Sequence, residues 1–240
     1  MAISLASLQT SSTLRPPRIL MHGVHGVGKT TFAAGADAPV VIMTEDGLGM
    51  LKVPHFPLAT SYADVVEALD ALLSEDHPYH TVVIDSVDWL EPLVWAETCR
   101  RNGWASIEAP GFGKGYAEAL TVWREYLDRL NTLRDRRGMA VVQIAHTDIK
   151  RFDSPEHEPY DRYVIKLQAR AAALLQEHCD VVLFANYRMS ITKADVGFNK
   201  KVARALGSGE RVLHTAERPA FLAENRYGLP DTLPLDWKAF

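Results

Sequence analysis

An α/β domain is what this sequence predicts, with a mostly parallel central sheet, flanking helices and a β-hairpin near the C-terminus. Three observations predict it. A glycine-rich stretch, His22-Gly-Val-His-Gly-Val-Gly-Lys-Thr-Thr31, sits between a short apolar run and a helix-forming segment. Apolar, β-branched runs alternate with segments of helical periodicity, the pattern of parallel strands joined by crossover helices. The chain has 240 residues, of which 47% are hydrophobic and 23% charged, which suits one α/β domain. Residues 1–17, rich in Ser and Thr, read as a flexible or edge-packing arm, and 18–240 as the single domain.

The elements follow in chain order. Arg18–His22 is a short apolar run that reads as a buried strand, and Thr30–Ala34 opens a helix. Pro39–Thr44 is a second strand, closed by the turn residues Glu45-Asp46-Gly47. A weaker apolar run lies at Val53–Leu58. Tyr62, Val65, Val66, Leu69, Leu72 and Leu73 recur at helical spacing, so 61–75 is an amphipathic helix. His80–Ile84 is a β-branched strand ending in Asp85-Ser86, and Leu90–Arg101 is helical. Residues 102–115 hold four glycines and a proline and read as a long loop. Tyr116, Leu120, Trp123, Leu127 and Leu130 give one apolar helix face, and Arg134 to Gly138 end that helix with cations and a glycine. Met139–Ala145 is a buried strand, 146–163 a second long polar loop, and Leu167, Ala171, Leu174, Leu175 and His178 a further helix. Val181–Ala185 is a strand, 188–209 is polar, and Arg211–Thr215 pairs with Ala220–Ala223 as the terminal hairpin. Long loops inside a compact domain are usually functional, and both follow strands at the sheet edge where the glycine-rich loop opens.

Gly23, Gly28, Lys29 and Thr30 satisfy the pattern G-x-x-x-x-G-K-[ST] without mismatch. The pattern has a physical basis. Consecutive backbone N–H groups cradle a phosphate chain, so the loop must turn tightly around an anion. Glycines at 23, 26 and 28 allow positive φ and keep Cβ atoms out of the way. Gly23, His25, Gly26, Val27, Gly28, Lys29, Thr30 and Thr31 are therefore the expected nucleotide-binding residues, with ATP and Mg²⁺ as ligands. Lys29 places a cation on the β- and γ-phosphates, and the Thr30 hydroxyl is the expected metal ligand. Asp85, at a strand end, is the second expected metal ligand; Asp88 is the alternative and reads as solvated. Glu45 ends the next strand and is positioned to polarise the attacking water, with Asp46 competing for that task. His146 ends the Met139–Ala145 strand and is a candidate γ-phosphate sensor.

Composition narrows the partners. A net charge of −4 and a pI near 6.1 exclude a generally basic surface, so any nucleic-acid site must be a local patch. Single-strand binders combine cations with stacking aromatics. Residues 100–116 supply Arg100, Arg101, Phe112 and Lys114. Residues 150–166 supply Lys150, Arg151, Arg162 and Lys166, cancelled by Asp153, Glu156, Glu158 and Asp161. The most basic stretch holds Lys193, Lys200, Lys201 and Arg204. Cys99 and Cys179 form no metal spacing and point to a reduced, cytoplasmic protein. No apolar run approaches 18 residues, so no membrane partner is expected.

The order of these residues resembles the RecA-like ATPase core. There, a strand-end glutamate activates water and a strand-end Gln or His senses the γ-phosphate; Glu45 and His146 are the matching positions. Residues 102–115 and 147–163 stand where RecA-like proteins carry their two DNA-binding loops. Gly111-Phe-Gly-Lys-Gly-Tyr116, Ile144-Ala-His146 and Asn225-Arg-Tyr-Gly-Leu-Pro230 resemble the phage nucleotide-binding proteins, within which lie the Sak-type single-strand annealing ATPases. This resemblance spans about residues 15–235. Ala223–Gly228 resembles the ring-helicase segment that carries Lys-x-Arg into a neighbour's site. Glu224 stands where that lysine would be, so only Arg226 carries over, as an arginine acting in trans. The resemblance implies a DNA-linked ATPase of phage-type recombination or annealing, in the host cytoplasm if phage-encoded. Its implied partners are single-stranded DNA, further copies of the chain in a ring or filament with nucleotide between subunits, and a single-stranded-DNA-binding protein. The alternatives are a ring-forming translocase or helicase, a non-catalytic ATP-switched binding module and a small-molecule kinase.

Overall fold

The structure, a computed structural model, describes residue 8 and residues 14–154, 158–195 and 201–240. Its elements are β1 (Arg18–Gly23), α1 (Lys29–Ala34), β2 (Pro39–Met43), α2 (Tyr62–Ser74), β3 (Thr81–Asp85), α3 (Val87–Asn102), α4 (Lys114–Arg137), β4 (Ala140–Phe152), β5 (Tyr160–Ile165), α5 (Ala169–His178), β6 (Val181–Asp195), β7 (Lys201–His214), β8 (Glu224–Asn225) and β9 (Thr232–Pro234). Most of the arm expected over 1–17 lies outside the described residues. Among the described residues no helix is long and apolar enough to cross a membrane.

The sheet is mixed and mostly parallel, in the order β2-β3-β4-β1-β6-β7-β9. The five strands from β2 to β6 in that order run parallel. β7, β8 and β9 add antiparallel neighbours, so C-terminal strands are present as expected. The register decides where chemistry collects. Met43 pairs with Asp85, Asp85 with Ile144, and Gly23 with both His146 and Ala185. Four candidate segments thus end at one edge, and β4 lies between β1 and β3.

Both sheet faces are apolar because alternate residues of buried parallel strands meet different layers. Leu20, Val40, Ile42, Val82, Ile84 and Val141 pack under α2 to α5, with Trp123, Tyr126 and Leu130 of α4 at the centre. Tyr126 is fully buried, and its hydroxyl donates to Gln143 Oε1 at 2.9 Å, which removes the cost of an unpaired polar group. The opposite face, Ile19, Met21, Val41, Val83, Val142 and Leu183, is covered by α1 and the segment from Leu233 to Phe240. Phe32 of α1 meets the rings of Trp237 and Phe240 at 5.1 and 5.8 Å. One face is therefore covered by four helices and the other by a single short helix and an irregular tail.

One expected loop, 146–163, and the polar stretch 188–209 contribute to β-ribbons. β4 runs past His146 to Phe152 and returns as β5, pairing Thr147 with Ile165 through Phe152 with Tyr160. The described residues of the polar 188–209 stretch belong to a long β6–β7 ladder from Phe184↔His214 to Asp195↔Lys201. A stretch rich in polar residues has no apolar period to read, and its ladder is held by backbone hydrogen bonds that any residue type supplies. Arg211–His214 pairs with β6 and β9, not with Ala220–Ala223. The Val53–Leu58 run makes a single bridge, Val41↔His55, at the sheet edge. Residues 103–113 are turns, as their glycines predict.

At the opposite end of the sheet, an ionic cluster ties β1 and α4 to the residue before β6. Arg18 donates to Asp180 from its backbone N (3.0 Å), Nε (3.2 Å) and Nη2 (2.9 Å). Arg134 Nη2 lies 3.3 Å from the same carboxylate. Burial pushes Asp180 towards a higher pKa, but these hydrogen bonds and charges outweigh it and hold it below the usual carboxylate range. The unfolded chain then binds more protons in acid, so this contribution is complete above the unfolded pKa and is lost as pH falls through the folded one. Asp180→Ala is expected to cost about 3 kcal/mol, since it leaves two part-buried guanidinium groups without their anion. Urea unfolding at pH 7 and pH 3 checks this: the wild type should lose more stability between the two than the variant.

Candidate active site

β1 delivers the chain into the glycine-rich loop at Gly23, and α1 begins at Lys29. Gly28 caps that helix at φ 103° and ψ 31°, and Gly26 has φ 72°. Both need the left-handed region that glycine enters without penalty. Gly23 differs: its φ is not positive, and a Cβ there would lie 2.4 Å from the Ala185 carbonyl oxygen. Its glycine serves the close approach of β6 rather than loop curvature, which corrects the sequence reading.

Lys29 is buried, and its Nζ donates to the carbonyls of Gly23 (3.1 Å) and Val24 (3.2 Å). Burial lowers its pKa, against the raising influence of Asp85, Asp88 and Glu45. Thr30 Oγ1 donates to Asp85 Oδ2 at 2.7 Å. Asp85 is buried at the end of β3, and burial raises its pKa against the lowering influence of Thr30, Lys29 and His146. A hydroxyl and a carboxylate in contact are hard oxygen donors, the set Mg²⁺ takes when phosphates supply further ligands. The pair fits the expected metal.

Glu45 is fixed by its backbone: the N–H groups of Thr44 and Glu45 donate to the Asp85 carbonyl at 2.8 and 3.3 Å. Thr44 Oγ1 donates to the Ser86 carbonyl at 2.6 Å. Glu45 Oε1 lies 4.0 Å from His146 Nδ1. Burial raises the Glu45 pKa, with His146 opposing. Asp46 lines the same cleft but is exposed.

His146 is held by a residue that the sequence reading placed in solvent. The Asp88 carboxylate is only 3% exposed. It accepts from His146 N at 2.9 Å and from Nδ1 at 3.0 and 3.2 Å. Burial raises the Asp88 pKa, but these His146 hydrogen bonds outweigh it and keep it below its ordinary value. An ionised carboxylate only accepts, so the histidine proton sits on Nδ1. Asp88 is therefore the anchor of the sensor candidate, not a spare metal ligand. Its spacing three residues after Asp85, in the first turn of the next helix, was the signal available. The His25 ring stacks on His146 with centroids 5.8 Å apart. His25, Gly26, Gly28, Lys29, Thr30, Thr31, Glu45, Asp46, Asp85 and His146 all line one cleft of about 410 Å³, a size suited to a small-molecule ligand.

Three further residues support the loop. Fully buried His22 sits between Thr147 Oγ1 (3.0 Å) and the Leu222 carbonyl (2.9 Å), tying the root of the β4–β5 ribbon to the strand that carries the loop. Burial pulls its pKa down to about 4, so it is neutral. Tyr187 Oη donates to the Gly26 carbonyl at 3.2 Å, and Arg211 Nη1 approaches the Val27 carbonyl at 3.5 Å. Sequence offered no sign of these contacts, because both residues arrive from the polar β6–β7 ladder.

The nucleic-acid candidates divide. Arg100 and Arg101 are not unpaired cations. Arg100 is bidentate to Glu97 at 2.7 and 2.8 Å, and Arg101 joins Glu97 (2.7 Å) to Glu125 (2.6 and 2.8 Å), stapling α3 to α4. Phe112 is fully exposed between Gly111 and Gly113, with all three in the left-handed region, and Lys114 is exposed at the start of α4. Lys150 and Arg151 are exposed on the outer part of β4, with Arg151 Nε 3.4 Å from Asp153. Lys193, Lys201 and Arg204 fall on the β6–β7 ladder, opposite Ala203, Asp195 and Thr192. Lys200 lies outside the described residues. Arg226 is not brought to its own chain's cleft. It follows β8, which pairs with Val181 and Val182 at the start of β6, and its N–H donates to the Asp180 carbonyl at 3.2 Å.

A family model described as an AAA domain matches residues 15–227. No curated protein matches. Among solved structures, the crystal structure of the RadB recombinase is similar over 94% of this chain and 90% of its own, with a TM-score of 0.50 and 14% identity. That likeness speaks for a common RecA-like fold.

Proposed function

The chain belongs to this AAA-domain family, and from that premise we propose that it is a RecA-like Mg²⁺-dependent ATPase acting on single-stranded DNA. Its role is phage-type recombination or strand annealing, carried out by an oligomer with nucleotide at the subunit interface. One observation carries the chemistry: the Thr30–Asp85 pair, Glu45 and His146, the last held from behind by Asp88, face the same cleft as the glycine-rich loop.

Backbone N–H groups of residues 26–31 and the Lys29 ammonium bind the phosphates. Thr30 and Asp85 would hold Mg²⁺, which supplies charge neutralisation on the phosphate oxygens. Glu45 orients the attacking water and takes its proton, which its raised pKa favours. His146, held by Asp88, reports the γ-phosphate to the ribbon that continues from it. Arg226, exposed on the opposite edge of the sheet, is disposed to act on a neighbouring subunit rather than its own. Phe112 and Lys114, together with Lys150 and Arg151 of the ribbon, are the contacts for the strand, whereas Arg100 and Arg101 are withdrawn from that role. Two unpaired cysteines, Cys99 and buried Cys179, suit the reducing compartment this reading requires.

The test is ATP hydrolysis with and without single-stranded DNA, with oligomer size followed in the same samples. Turnover should rise several-fold as assemblies form on the strand. ATP binding with turnover and size indifferent to DNA would favour a switch module or a kinase and overturn the DNA reading.

A further inference from the structure

The β6–β7 ladder reaches the glycine-rich loop through a cross-strand pair. Tyr187 of β6 and Arg211 of β7 stand opposite each other in the register, so their side chains leave the same face of the ladder. Tyr187 Oη donates to the Gly26 carbonyl at 3.2 Å, and Arg211 Nη1 approaches the Val27 carbonyl at 3.5 Å. The tyrosine contact is the shorter and therefore the firmer of the two. The guanidinium is nonetheless packed on the loop: a Cβ added to Gly28 would lie 2.7 Å from Nη1. Just beyond this pair the register shifts, and the next residues in register are Met189 and Gly207. Gly209 lies in that irregularity with φ 73°, and Arg188 Nε meets Glu210 across it at 3.0 Å. Irregularities of this kind bend a ladder and re-aim side chains beside a site.

The two contacts fix more than carbonyls. A trans peptide holds its C=O and N–H antiparallel. Donors on the Gly26 and Val27 carbonyls therefore turn the Val27 and Gly28 N–H groups away from the ladder. The Val27 N–H and Lys29 Nζ meet on one acceptor, the Val24 carbonyl, at 3.4 and 3.2 Å. These two donors thus share the side of the loop on which Lys29 would meet a phosphate. Of the described residues, Gly26, Gly28 and Lys29 line the nucleotide cleft, whereas Tyr187 and Arg211 do not. The pair grips the loop from behind.

We propose that Tyr187 and Arg211 are positioning residues for the nucleotide: by holding the Gly26 and Val27 carbonyls from outside the cleft, they keep the Val27 and Gly28 N–H groups aimed at its phosphates. The inference rests on the ATP-binding reading above and adds to that site two residues that never touch the ligand.

The test is titration of the full chain with a fluorescent ADP in the presence of Mg²⁺, paired with steady-state ATP hydrolysis. Tyr187→Phe keeps the ring and removes the donor. It should weaken ADP binding about fivefold, the scale of one hydrogen bond. The KM for ATP should rise by a similar factor, with kcat changing far less, as expected when ground state and transition state lose the same contact. Arg211→Met should add to the loss, and Arg211→Lys should recover part of it. The melting temperature of Tyr187→Phe without nucleotide should stay close to that of the wild type, since the contact is at an exposed position where water can take the released carbonyl. Equal affinity of Tyr187→Phe and wild type for ADP would overturn the positioning role and leave the ATP reading standing. So would a loss of affinity matched by a fall in melting temperature without nucleotide. A wild type that binds no nucleotide would overturn that reading, and the inference with it.

Discussion

Lys29→Ala should lower ATP turnover by about two orders of magnitude or more, the scale seen when one pre-placed charge or donor is removed from a transition state. The side chain is buried, and in the structure its ammonium rests on the carbonyls of Gly23 and Val24. It is thus already held inside the loop it would serve, so little reorganisation precedes catalysis. Truncation leaves those two carbonyls to water, which an open cleft admits, so the fold should survive. Thr30 and Asp85 remain in place, and nucleotide binding should weaken far less than turnover. Phosphate release at saturating ATP, paired with titration of a fluorescent nucleotide, separates the two effects. Wild-type turnover in this variant would overturn the assignment of the cleft.

Gly23→Ala should instead damage the fold. Its Cβ would meet the Ala185 carbonyl oxygen at 2.4 Å and the Ala185 Cβ at 2.9 Å. Both neighbours belong to a buried strand in register with β1, so neither can move without shifting β6. Overpacking of this kind costs about 3 kcal/mol. For a chain of this size that is a fall in melting temperature of about 10 °C. Gly26→Ala is the control. Its Cβ meets nothing within 4 Å, so only the left-handed backbone opposes it, at about 1 to 2 kcal/mol. Calorimetric scans of the two variants check the order; Gly23→Ala melting with the wild type would refute the packing account.

Much of the architecture was legible because the buried strands are continuous apolar runs and the helices keep a 3.6-residue stripe. The glycine-rich loop, Asp85, Glu45 and His146 were legible because strand ends in an alternating sheet fall at one edge. What sequence hid was pairing. Arg100 and Arg101 look like cations for a polyanion until Glu97 and Glu125 are seen against them. Asp88 looks like a solvated helix-start acid until His146 folds over it from a strand 58 residues away. Polar ribbons carry no periodicity, so 147–163 read as a loop and 188–209 only as polar, although backbone ladders organise most of their described residues.

The unbroken course of β4 has a mechanical meaning. Its inner residues are clamped between β1 and β3, while the stretch beyond His146 projects as a two-stranded ribbon. Phe152 lies six positions beyond His146, a lever of about 20 Å at strand rise. A tilt of about 10° at the fulcrum would swing the tip by about 3.5 Å over such an arm. A small shift where β4 leaves the sheet can in this way be geared up into a much larger stroke at the tip of the ribbon.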